Sequence, residues 1–312
     1  MEFSDSIYIA GHTGLIGSAI ERRLQEDGYL NLLTSKHSEL ELTDGLSVQE
    51  FFSRNKPKYV FLAAGKVGGI LENNKYPADF LTINLAIQLN ILKAAAHNRV
   101  ERLVLYGSSC MYPQDTDQPM AEDVLLEGKP ESTSIAYAIA KLAGVQMCLA
   151  YNKQFGSKRF LPVIPNSIYG PNDNFSEDSG HVLSSLVARF HNAMISGADV
   201  VTVWGTGKPR REFIHADDVA RASIMLMSRD LSDISFPLNI GVGEDYSILE
   251  LAQSIASVVG YNGEIQFDLS KPDGAARKIL DSKRLMTMGW KPEIEFMDGL
   301  KKTYEWYLTC GE

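Results

Sequence analysis

A short apolar run, Ile7 to Ala10, passes directly into Gly11-His12-Thr13-Gly14-Leu15-Ile16-Gly17, and a helical pattern follows over 16–25. Glycines in this G-x-x-G-x-x-G spacing let the chain turn tightly and bring backbone amides close to a pyrophosphate. The helix behind them points its positive end at the same charge. The spacing differs from the commoner G-x-G-x-x-G, and turns need glycine for their own geometry, so the motif alone is weak. Its position gives it weight. Strand patterns at 30–34, 59–64, 102–106 and 160–164 alternate with helical patterns at 48–54, 80–98 and 137–155, the last stopped at Gly156. That alternation predicts an α/β chain, a Rossmann-type doubly wound parallel sheet with helices on both faces. Between the first strand and first helix of such a sheet, a glycine turn is expected to bind a dinucleotide.

A length of 312 residues suits two unequal lobes. After about residue 171, loops rich in Gly, Asn, Asp and Pro separate shorter elements. The expected division is a dinucleotide-binding domain over 1–170, rejoined by about 214–241, and a smaller mixed lobe over 171–312 that mainly binds substrate.

Cofactor choice is set near the end of the second strand, where an acidic residue would hold the ribose hydroxyls of NAD. Here that place holds Ser35-Lys36-His37, with Glu39 slightly beyond. A lysine and a histidine suit a 2′-phosphate better than a carboxylate does, so NADP(H) is expected. The alternative is that Lys36 and His37 belong to an ordinary solvated loop.

Composition excludes some partners. A net charge of −9, with 45% apolar and 22% charged residues, disfavours non-specific binding to nucleic acid or anionic membranes. Cys110, Cys148 and Cys310 are dispersed and odd in number, which suggests no disulfide framework. Met1 to Asp5 is acidic and lacks the pattern of a signal peptide, and no run of about 18 apolar residues is present. A cytoplasmic location is the expectation. The six histidines show no His-x-x-x-His spacing, so no metal is expected.

Tyr137 and Lys141 stand four residues apart and so share one face of a helix. An ammonium beside a phenol stabilises phenolate, lowering its pKa toward the working pH, so the tyrosine can exchange a proton with a carbonyl or alcohol oxygen. The fourth strand ends in Gly107-Ser108-Ser109-Cys110. Ligands of open α/β sheets bind beyond the carboxyl ends of strands, which places the hydroxyl of Ser108 or Ser109 near the reacting oxygen. Asp217-Asp218, before an apolar stretch, is better taken as a capped helix start than as a catalytic acid.

These features resemble the extended short-chain dehydrogenase/reductase family. Within it they resemble the epimerase–reductases that turn GDP-4-keto-6-deoxy-D-mannose into GDP-L-fucose. The matching stretches run from the glycine turn through Leu62 to Ile70, Asn73-Asn74, Tyr76 to Phe80, Gly107 to Pro113, Gln118 to Glu122 and Tyr137 to Lys141. They continue through Tyr169 to Phe175, Arg211 to Asp218 and Lys271 to Gly274, and so cover nearly the whole chain. The resemblance implies a triad of Ser108, Tyr137 and Lys141, with Cys110 and His181 moving protons at C3 and C5 of the sugar. It implies a cofactor site built from Gly11, His12, Thr13, Gly14, Leu15, Ile16, Gly17, Lys36, His37, Ala63, Ala64, Tyr106 and Gly107. Ser108, Tyr137, Lys141, Pro165, Asn166, Ser167, Ile168 and His181 complete that site. Arg189, Trp204, Arg211 and Lys271 would hold the GDP-sugar, and a homodimer is implied.

The chemistry is coherent, because a 4-keto group acidifies both neighbouring carbons and an NADPH hydride then reduces C4. Related sugar dehydratases carry an Asp-Glu pair where this chain has Ser109-Cys110, so dehydration is not expected. Thr13 and His37 stand where the family has arginine, and Pro165-Asn166-Ser167 where it more often has Pro-Thr-Asn. Rival readings are a relative acting on another GDP-4-keto sugar (dideoxy or heptose), a nucleotide-sugar 4-epimerase with retained NAD, and a non-catalytic binder.

Overall fold

The computed structural model describes residues 1–271 and 273–310; Pro272 of the Lys271 to Gly274 motif and the side chain of Cys310 lie outside the described residues. The chain starts with β1 (Ile7–Ala10), α1 (Leu15–Glu26), β2 (Leu32–Leu33), α2 (Gly45–Asn55) and β3 (Tyr59–Leu62). It continues through α3 (Ile70–Lys75), α4 (Pro77–His97), β4 (Arg102–Tyr106), α5 (Ile135–Phe155) and β5 (Phe160–Pro165). Next come β6 (Ser167–Tyr169), α6 (Val182–Ser196), β7 (Val200–Trp204), β8 (Arg210–Arg211), β9 (Phe213–His215), α7 (Ala216–Ser228) and β10 (Leu238–Ile240). The last elements are β11 (Tyr246–Ser247), α8 (Ile248–Val259), β12 (Glu264–Asp268), β13 (Arg277–Lys278), α9 (Lys283–Thr287) and α10 (Phe296–Cys310).

Six strands form one sheet in the order β10-β5-β4-β3-β1-β2, with every pairing parallel. Side chains alternate between the faces of a strand. Ile7 and Ile9 therefore pack with Ile20 and Leu24 of α1 and Val219 of α7, while Tyr8 and Ala10 pack with Val48 and Phe52 of α2 and Ile91 of α4. A sheet covered on both faces is what its uninterrupted apolar strands require. The strand expected at 30–34 shrinks to Leu32–Leu33 because β2 is the sheet edge and pairs only with β1. Strand order reverses between β1 and β3, and a crevice opens there beyond the strand ends.

Helices α4 and α5 lie side by side. Gln88 Nε2 donates to Ala140 O at 2.9 Å, and a Cβ on Gly144 would sit 2.1 Å from Gln88 Oε1. Ala138, Ala140 and Gly144 are buried and thus serve packing within the chain. The opposite face of α5 exposes Ile135 and Ile139, and α4 exposes Leu89. Being apolar on two faces, Ser132–Phe155 reaches a mean hydropathy of 1.3 over 18 residues, long and apolar enough by composition to cross a bilayer. Lys141 interrupts its apolar run, and its inner face packs on α4, β4 and β5.

Beyond β6 a third core forms between α6, α8 and β7, with Leu186, Phe190, Val201, Val203, Leu251 and Ile255 at its centre. Helix α7 and strand β10 return to the main sheet, Asn239 lying opposite Ile164. The start of α7 differs from the sequence expectation. His215 caps it, accepting from Asp217 N at 3.2 Å. Asp218 is fully buried instead, paired with Arg221 at 2.6 Å and accepting from the amides of Glu293 and Ile294 at 3.0 and 3.1 Å. Its carboxylate serves the segment before α10, which lies too far along the chain for a capping pattern to reveal.

Candidate active site

The carboxyl ends of β1, β3, β4 and β5 open on a cleft of about 780 Å³. Its floor at one end is the turn from β1 into α1. Gly11 has φ +85°, and a Cβ there would meet Ala64 N at 2.7 Å. A Cβ on Gly17 would stand 2.0 Å from Gly11 O, so Gly17 lies beneath the turn and lets helix and strand close up. Helix α1 follows with Gly14 at its cap, no capping side chain and no acidic residue in its first turn. Its amides and positive end are free to meet an anion. His12 Nδ1 is buried without a hydrogen-bond partner, a polar atom suited to a ligand. The turn thus fits a dinucleotide pyrophosphate. Lys36, His37 and Thr13 line the outer end of the same cleft, with His37 Nε2 2.8 Å from Glu41 Oε2.

The middle of the cleft gathers the predicted chemical groups. A short 3₁₀ turn, Ser109–Met111, follows β4, and the Ser108 hydroxyl caps it by accepting from Cys110 N at 3.3 Å. Ser108 also stands close enough to the Tyr137 phenol to lower its pKa, whereas Ser109 is 8% exposed. Of the two serines left open by sequence, Ser108 is the one that acts on the tyrosine. Lys141 is buried, donates from Nζ to Tyr106 O at 2.9 Å, and lies 5.8 Å from the Tyr137 ring centroid. Burial pushes its ammonium down to about 8.

The phenol behaves differently from expectation. Burial, then the neighbouring Cys110, drive the Tyr137 pKa above its ordinary value, and Ser108 pulls the other way. The physical reason is that the Lys141 ammonium is directed at a backbone carbonyl while protein atoms crowd the phenol in the cleft wall. Tyr137 is consequently a protonated acid at neutral pH.

Cys110 is partly exposed and lines the cleft, as does His181. His181 stands at the start of α6, half exposed, with Nδ1 3.9 Å from Asp173 Oδ1. The Asp173 carboxylate raises its pKa above the ordinary value against opposing desolvation. Sequence pointed to neither Asp173 nor Asn84. Asn84 Oδ1 accepts from Lys66 N at 3.0 Å and its Nδ2 donates to Lys66 O at 2.9 Å, fixing the loop that lines the cleft after β3. A buried asparagine within an apolar helix was the only signal available.

Of the expected cofactor residues, all but Gly17 line the cleft. Asn166 does so with its amide turned away, Nδ2 donating to Glu212 Oε2 at 2.5 Å. Glu212 is wholly buried and also accepts from Gly243 N and Leu280 N, at 2.7 and 2.9 Å. The asparagine therefore braces the strands at this end.

The four expected substrate residues divide. Arg211 lines the cleft, its Nη1 donating to Ala275 O at 2.6 Å. A Glu131–Lys278 ion pair of 2.7 Å stands beside it. Arg189, Trp204 and Lys271 are not in the cleft wall. Arg189, on α6, donates from Nη1 to Thr202 O of β7 at 2.9 Å, and Lys271, after β12, has its Nζ 5.4 Å from the ring of Trp204 at the end of β7.

Residues 7–241 match the NAD dependent epimerase/dehydratase family. The chain is 48% identical over 305 residues to GDP-L-fucose synthase 1 of Arabidopsis thaliana, covering 98% of this chain and 94% of the relative. It is 47% identical over 309 residues to GDP-L-fucose synthase of Escherichia coli K12, covering 97% and 96%. Among solved structures it is similar to a GDP-mannoheptose C4 reductase from Campylobacter jejuni with NADP bound, at 37% identity and a TM-score of 0.89 over 99% of each chain.

Proposed function

The chain belongs to the NAD dependent epimerase/dehydratase family, and from that premise we propose that it converts GDP-4-keto-6-deoxy-D-mannose to GDP-L-fucose by 3,5-epimerisation and NADPH-dependent reduction at C4. The observation that carries this reading is the convergence of Ser108, Tyr137, Lys141, Cys110 and His181 on one cleft with the glycine turn. A non-catalytic binder has no use for all five.

The turn around Gly11, the start of α1 and the Lys36-His37 loop would hold NADP(H), which supplies hydride to C4 of the sugar. Every other step falls to side chains. The 4-keto group makes the hydrogens on C3 and C5 acidic. Cys110 as thiolate removes one, leaving an enolate, and His181 as imidazolium returns a proton to the carbon; the thiol then gives up its proton to solvent and the imidazole takes one back, so both groups are reset for the second carbon. Tyr137 then gives its phenolic proton to the C4 oxygen as that carbon is reduced. Ser108 orients the same oxygen through the hydroxyl it shares with Tyr137, and the Lys141 ammonium stabilises the phenolate left behind. Arg211 supplies charge for the diphosphate, and Arg189, Trp204 and Lys271 the outer part of the nucleotide site. Residues 1–170 with the returning α7 and β10 would form the cofactor domain, and the remainder the substrate lobe. The exposed apolar face of α4 and α5 would bury itself against a second copy.

A second reading, reduction of a GDP-heptose, is favoured by likeness to the Campylobacter reductase. The two separate on Cys110→Ser. On the first reading it loses deuterium exchange at C3 and C5 by about 10²-fold or more, while reduction of an already epimerised 4-keto sugar persists. Equal loss of both steps contradicts the role given to Cys110.

A further inference from the structure

The loop between β6 and α6 carries Asp173 near its start and His181 at its end, and its fold brings the two together. Asp173 keeps its side chain 6% exposed while lining the same cleft as His181. A charge at that depth is costly unless it is paired and hydrogen-bonded. Partners are supplied from three directions. The Ser184 hydroxyl, in the first turn of α6, donates to Oδ2, and Asn174 N donates to Oδ1 at 2.8 Å. The third is the His181 ring, whose Nδ1 lies 3.9 Å from Oδ1, an ion-pair separation rather than a hydrogen bond.

The loop is pinned on both sides. Gly69 N donates to Ser179 O at 3.1 Å from the segment before α3, and Gly180 N donates to Ser176 O at 2.9 Å. Phe175 packs on Tyr307 of α10 with ring centroids 4.9 Å apart. So held, the carboxylate stays beside the imidazole. The other titratable groups facing this part of the cleft are Cys110 and Tyr137, and the cations Lys66, Lys141 and Arg211 from the far walls. Desolvation favours a neutral ring, and Asp173 opposes it.

We propose that Asp173 is a positioning residue: its carboxylate, fixed by Ser184, orients the His181 ring through Nδ1 and keeps it protonated, leaving Nε2 to deliver the proton in the exchange at C3 and C5. This rests on the reading of His181 given above. The raised pKa of the imidazole agrees with it, since the same carboxylate is the main cause. A histidine is directed by the partner its second nitrogen meets.

The test uses the whole enzyme with ring-labelled histidine, followed by NMR. Asp173→Asn keeps the side chain's shape and one acceptor oxygen, which can still meet Asn174 N while its amide donates to the Ser184 hydroxyl, but removes its charge. In it, His181 is expected to titrate at lower pH than in the wild type. Solvent deuterium exchange at C3 and C5 of GDP-4-keto-6-deoxymannose, measured without NADPH, is expected to slow about tenfold or more near neutral pH and to recover in part as pH is lowered. A titration and an exchange rate both unchanged overturn the proposal. Should Asp173→Asn not fold, Ser184→Ala carries the same test: His181 titrating at lower pH supports the proposal, and an unmoved titration overturns it. His181→Asn separates the two levels. If it exchanges at the wild-type rate, the role of His181 fails and Asp173 loses its own. If it loses exchange while Asp173→Asn does not, His181 keeps its role and Asp173 has none.

Discussion

Lys141 carries its charge into surroundings that disfavour it, and that has a measurable consequence. Its pKa lies near 8 because burial penalises the ammonium, and the charged form is therefore present below that pH and lost above it. If the ammonium stabilises the phenolate formed at Tyr137, kcat/KM for reduction should fall as pH rises through about 8. Lys141→Arg, whose charge persists, should remove that alkaline limb. A wild-type profile that stays flat well beyond this pH contradicts the role given to Lys141. At this scale the sequence was informative where chemistry depends on short spacing. Tyr137 and Lys141 are one helical turn apart, and Ser108 and Cys110 flank one residue. Asp173 was not legible, since its effect depends on a loop folding back across eight positions to His181. Nor was the sign of the Tyr137 shift, which depends on burial and on where the Lys141 ammonium points. Residue pattern alone gives neither.

Among the elements, the turn from β1 to α1 is the most constrained. Gly17→Ala would drive a Cβ to within 2.0 Å of the Gly11 carbonyl oxygen, backbone that cannot move without opening the turn. Overpacking of this kind costs about 1–3 kcal/mol. The variant should melt at lower temperature and bind NADPH more weakly in a fluorescence titration. Unchanged affinity with unchanged melting would show that the turn has slack. The β1–α1 unit and the strands at 59–62 and 102–106 were legible because their apolar runs are bounded by turns and buried on both faces. Helix α3 was not: its six residues are too few to display a helical period. The substrate side was legible in part, because Arg211 reaches the cleft, whereas Arg189 and Lys271 contact β7, at Thr202 and Trp204, outside its wall.

For the whole molecule, the apolar outer face of the α4–α5 pair is the feature that monomeric burial leaves unexplained. Ile135 and Ile139 remain 42% and 46% exposed there, on a helix apolar enough to pass for a membrane span. Pairing with a second copy would bury that face. Sedimentation velocity should show a dimer for the wild type and a monomer for Ile139→Glu, and a wild-type monomer at all concentrations would contradict the pairing. The larger claim is that one cleft performs both proton exchange and reduction. Its most direct test is to supply GDP-4-keto-6-deoxymannose and NADPH in deuterated water and solve the product by NMR. The account predicts GDP-L-fucose carrying deuterium at C3 and C5, with one NADPH oxidised for each molecule formed. A reduced sugar that keeps the original configuration and hydrogens at both carbons, or turnover without loss of NADPH, would contradict it.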